Sequence, residues 1–113
     1  MIESVYDIYI VNKGFDAETL AISLSRRLRN YDLITELDLS GASFSKQFKK
    51  ANKLKTKSII VIGDDEALKN EFKIRLFNKE NFENMEETIS LDDAIKLDNW
   101  LYKNLLLKRS KVI

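Results

Sequence analysis

The residue types best placed to do chemistry in this chain are lysines. Between Leu39 and Gly63 the sequence LSGASFSKQFKKANKLKTKSIIVIG carries six lysines and no carboxylate. Lys46, Lys49, Lys50 and Lys53 recur at i, i+3, i+4 and i+7, which brings all four to one side of a helix. Phe44, Phe48 and Ala51 fall on the other side and supply a core face. The whole chain holds 19 basic and 18 acidic residues. The lysine face is therefore a local positive field on a nearly neutral protein, and polyanions are its natural partners. Lysine runs also occur as plain solvated helix sides. Two features favour a ligand. No acid is interleaved to make the i,i+4 pairs that a purely stabilising surface would use. The helix also begins beyond the carboxyl end of a strand, on the rim where parallel sheets present ligands. Asn12, Lys13 and Asp64 share that rim. Lysines there can hold phosphates without regard to sequence, while Asn and Gln side chains can read base edges.

Catalysis has less to stand on. The chain has no cysteine and no histidine. Disulfides, thiolate zinc sites and thiol chemistry are excluded, and so is the commonest general base. A hydrolase would need paired carboxylates or a Ser–Lys arrangement. Asp64-Asp65-Glu66 lies just after a strand and could in principle hold magnesium. Its plainer role is to cap a short helix, 66–70. Gly63 stands alone, without a glycine-rich phosphate loop. The acids among residues 80–93 read as a solvated edge.

The elements that must position these residues follow from periodicity. Val5 to Val11 is apolar apart from Asp7 and reads as a strand buried on both faces. Gly14 ends it, Asp16 resembles an N-cap, and Ala17, Leu20, Ala21, Leu24, Leu28 and Tyr31 form the stripe of a first helix. Asn30 and Asp32 close that helix. Ile34 to Leu39 alternates as a second strand, Ser43 to Leu54 is the lysine helix, and Ser58 to Ile62 is a third strand. This order predicts parallel pairing with right-handed crossovers. Phe72 to Phe77 alternates again, with Met85 to Ile89 as an antiparallel partner across an asparagine-rich link, Asn78 to Asn84. Ser90 and Asp93 form a capping-box variant that opens a last helix to about Leu107. Its expected buried stripe is Leu91, Ala94, Ile95, Leu101, Tyr102 and Leu105. Trp100 and Leu107 then face outward. That leaves two readings: a surface aromatic shielded by Lys96 and Lys103, or a surface that another domain or subunit covers.

A length of 113 residues argues for one domain over 1–113, with a core from about 5 to 107. Roughly two-thirds of its unfolded surface can be buried at this size. The longest apolar runs, Ile8 to Val11 and Ile59 to Ile62, are too short to span a bilayer. No membrane partner and a reducing, cytoplasmic setting are the expectation.

ELDLSGASFSKQFKKANK, from Glu36 to Lys53, resembles a segment of histidyl-tRNA synthetases that commonly reads ELDLSGRSLKKQFKYADK. YIVNKG, VIGDDE and SLDDAI are similar to that family's C-terminal anticodon-binding domain, so the resemblance covers Val5 to Leu105. It implies an α/β fold, a mixed five-stranded sheet (first three strands parallel) flanked by three main helices. It implies recognition of the tRNA(His) anticodon stem-loop, which displays unstacked bases to side chains. Carried over by position, Asn12 would approach an anticodon base and Lys13 would stand beside it. Ser40 and Ser43 would flank the helix entrance, and Gln47 and Lys49 would face the loop. Lys46, Lys50 and Lys53 would follow phosphates. No catalytic residue, metal ligand or cofactor is expected in this chain. ATP and magnesium are implied for the parent enzyme, whose catalytic domain, within a homodimer, would be the other partner. Two departures matter. Asn52 stands where the family often has Asp. The family's glycine-containing turns around the fourth strand are replaced by Lys69-Asn70-Glu71 and Asn81 to Asn84. An excised synthetase domain and a free-standing relative with an interaction or regulatory role both remain open.

Overall fold

The structure, a computed structural model, describes residues 5–77 and 86–107. Five strands form one sheet in the order β2-β1-β3-β4-β5. They are β1 (Ile8–Asn12), β2 (Thr35–Leu37), β3 (Ser58–Ile62), β4 (Glu71–Leu76) and β5 (Glu87–Ser90). β1 lies in the middle and pairs in parallel with both β2 and β3. β4 then runs antiparallel to β3, and β5 antiparallel to β4. The mixed sheet matches the expectation from sequence. The link between β4 and β5 lies outside the described residues.

Every residue of β1 is buried, because helices cover both of its faces. Ile8, Ile10, Ile60, Phe72, Ile74 and Ile89 point to one side. There they meet α1 (Phe15–Arg29) through Ala17, Ala21, Leu24 and Leu28, and α4 (Ala94–Leu101) through Leu97 and Trp100. Tyr9, Val11 and Ile59 point to the other side and meet α2 (Phe44–Leu54) through Ala51, with Phe44 and Phe48 packed at its margin. This two-sided burial explains why the β1 sequence lacks alternation.

Local rules account for the element ends, with some corrections to the sequence reading. The residue preceding α1 is Gly14, not Asp16, and it carries no side-chain cap. Its φ of 119° suits glycine. A Cβ at that position would also collide with the Asp64 carboxylate. Ser43 caps α2, its hydroxyl accepting from the Lys46 N–H. α3 (Asp64–Leu68) starts two residues earlier than expected, and Glu66 closes its first turn by accepting from the Gly63 N–H at 2.6 Å. Asn70 adopts φ 55° and takes over the left-handed position that a glycine would otherwise fill. Asp93 alone caps α4, accepting from the Lys96 N–H at 3.0 Å. The Ser90 hydroxyl instead accepts from the Asp92 N–H in the preceding turn.

The phase of the last helix overturns one expectation. Trp100 is interior, 6% exposed, whereas Ile95 and Tyr102 are 74% and 57% exposed. The buried stripe is Leu97, Trp100, Leu101 and Leu105, which is an equally good i, i+3, i+4, i+8 pattern. Leu91 precedes the helix and cannot set its phase. The stripe with Leu97 and Trp100 removes more apolar area from water than Ala94, Ile95 and Tyr102 would. A π-helical turn, Tyr102–Leu106, follows and keeps Leu105 inward, while Leu107 is half-buried.

Candidate nucleic-acid interface

The carboxyl ends of β1 and β2 define a rim, and the six-residue passage 38–43 crosses it before entering α2. Asp38 opens this loop. Its N–H donates to the Ile10 C=O at 3.1 Å, continuing the parallel ladder one step past β2. Its side chain is buried, and both carboxylate oxygens are used. Oδ2 accepts from the Tyr9 hydroxyl at 2.6 Å, and Oδ1 accepts from the Ser40 N–H at 2.9 Å and the Ser40 hydroxyl at 2.5 Å. Burial by itself would push the Asp38 carboxyl up. The donors from Ser40 and Tyr9, together with the Lys50 charge, outweigh burial and hold it below the usual carboxylate range. Burial and the bond to Asp38 push the Tyr9 hydroxyl well above its ordinary value.

Ser40 Oγ also accepts from the Ala42 N–H at 3.1 Å. From β1, Lys13 reaches across and its Nζ donates to the Gly41 C=O at 2.5 Å. Gly41 has φ 71° and open space around it. Leu39, Ser40, Gly41 and Ser43 are exposed, so the loop is tied from beneath and open above.

Lys46, Lys49, Lys50 and Lys53 are all exposed on the outer side of α2, as their spacing predicts. Lys13, Ser40 and Ser43, at the rim, are exposed as well. Asn12 and Gln47 are not. Asn12 is 4% exposed and Gln47 is 1% exposed. The Asn12 Nδ2 donates to the Asp38 C=O at 2.9 Å. The Gln47 Oε1 accepts from the Asn12 N–H at 2.9 Å, and its Nε2 donates to the C=O groups of Asn12 and Ala42, each at 2.8 Å. The sequence reading aimed both side chains at the ligand, and the fold turns both inward. The reason is the short β2, which stops pairing at Leu37 opposite Ile10. The next outward-facing backbone polar groups of β1, those of Asn12, would be orphaned without the Gln47 amide.

The structure also brings in a residue that the sequence reading passed over. Arg75 lies opposite Ile59 in the β3–β4 register, which puts it on the same side of the sheet as α2. Its guanidinium stands 6.0 Å from the Phe48 ring and 5.4 Å from the Phe77 ring, within cation–π range. Lys73 lies opposite Val61 on that side too. Val61, Lys73, Arg75 and Phe77 are each only partly buried, and both cations on this face stand beside an acid, Lys73 Nζ 3.8 Å from Glu66 and Arg75 Nε 3.9 Å from Glu86. The alternation FKIRLF carried this signal, since it places Lys73, Arg75 and Phe77 on one face. Which helix shares that face was not legible.

Among the described residues no group of acids could hold a metal ion. Glu66 is engaged by the Gly63 N–H and lies 3.8 Å from the Lys73 ammonium. No helix among the described residues is long and apolar enough to cross a membrane.

Residues 7–97 match the family described as "Anticodon binding domain". The chain is 77% identical over 104 residues to a Prochlorococcus marinus (strain MIT 9515) protein named histidine–tRNA ligase, covering 92% of this chain and 24% of that protein. It is 72% identical over 104 residues to the histidine–tRNA ligase of P. marinus subsp. pastoris, with the same coverage. Among solved structures it is similar to apo histidyl-tRNA synthetase of S. aureus, with a TM-score of 0.69 and 29% identity, over 84% of this chain and 23% of that one. The chain thus spans about a quarter of the length of the curated relatives it matches. A sheet of this order, a lysine-faced helix entered from a tied rim loop, and a family match across most of the sequence agree: the chain belongs to the anticodon-binding domain family.

Proposed function

We propose that this chain serves a histidyl-tRNA synthetase by holding the anticodon stem-loop of tRNA(His). A catalytic domain of the parent enzyme, acting as a homodimer with ATP and magnesium, would attach histidine to the far end of the tRNA. The single observation that carries this reading is the exposed lysine row of α2 standing beside a tied, accessible loop on the sheet rim. Lys46, Lys50 and Lys53 follow phosphates as point charges, with Lys13 on the other side of the loop. Lys49, Ser40 and Ser43 are the accessible groups left to meet base edges. Arg75, within cation–π distance of Phe48 and Phe77 and beside Glu86, is a further candidate on the α2 side of the sheet to meet an unstacked base. The burial of Asn12 and Gln47 supports assigning base contact to other side chains.

The test is a gel-shift titration of the 113-residue chain with a histidine-tRNA anticodon stem-loop over a range of salt. Binding should weaken linearly in log–log form, and Lys46→Ala, Lys50→Ala or Lys53→Ala should each reduce the slope by about 0.7. Absence of binding at low salt, or slopes unmoved by all three substitutions, would end the proposal. A docking surface built on an outward Trp100, whether for a covering domain or for a protein partner, has no support, since that residue is part of the core.

A further inference from the structure

The buried amide of Gln47 and the buried carboxylate of Asp38 hold the same loop from its two ends. Gln47 works as a one-residue continuation of the sheet edge. Its amide pairs with both the N–H and the C=O of Asn12, at 2.9 and 2.8 Å, as a neighbouring strand would. Its second donor takes the Ala42 C=O at 2.8 Å. One acceptor and both donors of the amide are thereby spent. Turning outward to meet RNA would break three bonds and strand the buried polar groups of Asn12. Asp38 does the equivalent work at the start of the loop through Tyr9 and Ser40. Asn12 links the two halves through its bond to the Asp38 C=O. Between these two anchors, Gly41 is tied by the Lys13 ammonium and Ser43 by its own cap on α2.

We infer that Gln47 and Asp38 are positioning residues for the RNA site: they act on the ligand only through the loop they fasten, setting the groups that meet the bases before the RNA arrives. This rests on the RNA-binding reading above. A loop ordered in advance spares the complex the entropy of ordering it. Discrimination between loops is then the property most sensitive to the network, while attraction to phosphates stays with the lysines.

The experiment uses Tyr9→Phe, which deletes one hydroxyl and keeps the packing, and Gln47→Met, which keeps length and removes the amide. Affinity of the whole chain is measured for the histidine-tRNA anticodon stem-loop and for the same hairpin with altered anticodon bases, across salt. Amide hydrogen exchange is followed at Asn12, Ser40 and Ala42. Tyr9→Phe should lower the ratio of the two affinities about twofold to tenfold, the worth of one net hydrogen bond. Gln47→Met, which removes three bonds, should lower it by at least as much, and both should leave the salt slope unchanged. Exchange at the named amides should quicken while Ile60 stays protected. Lys50→Ala is the contrast, lowering the slope and both affinities alike. A lowered ratio with exchange unchanged would mean direct contact and overturn the inference. So would a ratio unmoved by both variants while the unmodified chain discriminates. If Gln47→Met does not fold, Tyr9→Phe alone carries the test. Failure of the unmodified chain to bind either hairpin would instead overturn the RNA-binding reading.

Discussion

At the scale of single residues, the buried Asp38 shows how a carboxylate can be kept charged out of water. Three donors and a nearby Lys50 outweigh the penalty of burial. The sign of the resulting pH dependence follows. A carboxyl whose folded-state value is depressed contributes stability above its unfolded value of about 3.9, and that contribution is lost as pH falls through the folded value. Tyr9 is shifted the other way, so its contribution is complete below about 10 and is lost as pH rises beyond it. Urea unfolding of Asp38→Asn should therefore show a lower midpoint at pH 7 and a flatter decline between about pH 4 and pH 2 than the unmodified chain. An unchanged acid limb would mean that Asp38 is not the group responsible. The motif around these residues was legible in sequence, but the direction in which its amides point was not. Asn12 and Gln47 are of types that can read bases, and residue type alone does not say whether the backbone claims them first.

At the scale of elements, α2 and α4 make an instructive pair. For α2 the four lysines leave only one side able to face the core, so spacing fixed the exposed face unambiguously. For α4 two apolar stripes compete, and both include Leu101 and Leu105. Packing against the sheet chose the one with Trp100. Replacing Trp100 with Ala should cost about 3–5 kcal/mol in denaturant unfolding followed by circular dichroism. Ile95→Ala and Tyr102→Ala should each stay within about 0.5 kcal/mol. Reversed sensitivities would refute the assigned phase. The entry to α1 depends on Gly14 for two reasons, its positive φ and the carboxylate of Asp64 against it. Gly14→Ala should destabilise by more than about 1 kcal/mol, with partial recovery when Asp64→Ala is added. No recovery would show that only the dihedral matters.

At the scale of the whole molecule, charge sums to +1, and within it the outer side of α2 carries an exposed row of four lysines. The β3–β4 register places Lys73 and Arg75 on the side of the sheet that α2 covers, where each stands beside a carboxylate. Arg75→Ala should weaken stem-loop binding and lower the salt slope by about 0.7, as one lost phosphate contact would. Arg75→Lys should keep the slope and still lose affinity, because an ammonium lacks the planar face that a guanidinium offers to aromatic rings and to a base. Equal binding by all three proteins would confine the interface to α2 and the rim.

Sequence by itself determined the order and type of the elements, the parallel opening of the sheet, the lysine face and the motif that marks the family. Those properties reside in short-range periodicity, in turn residues and in local charge, all of which are written along the chain. Tertiary structure alone decided which polar side chains remain free. A β2 that ends at Leu37 leaves backbone groups of Asn12 unpaired, and Gln47, distant in sequence, turns inward to satisfy them. It also decided the phase of α4 and the company of Arg75, since both depend on which surfaces meet across the sheet. Competition for buried hydrogen bonds and for apolar area is settled only when distant segments come together.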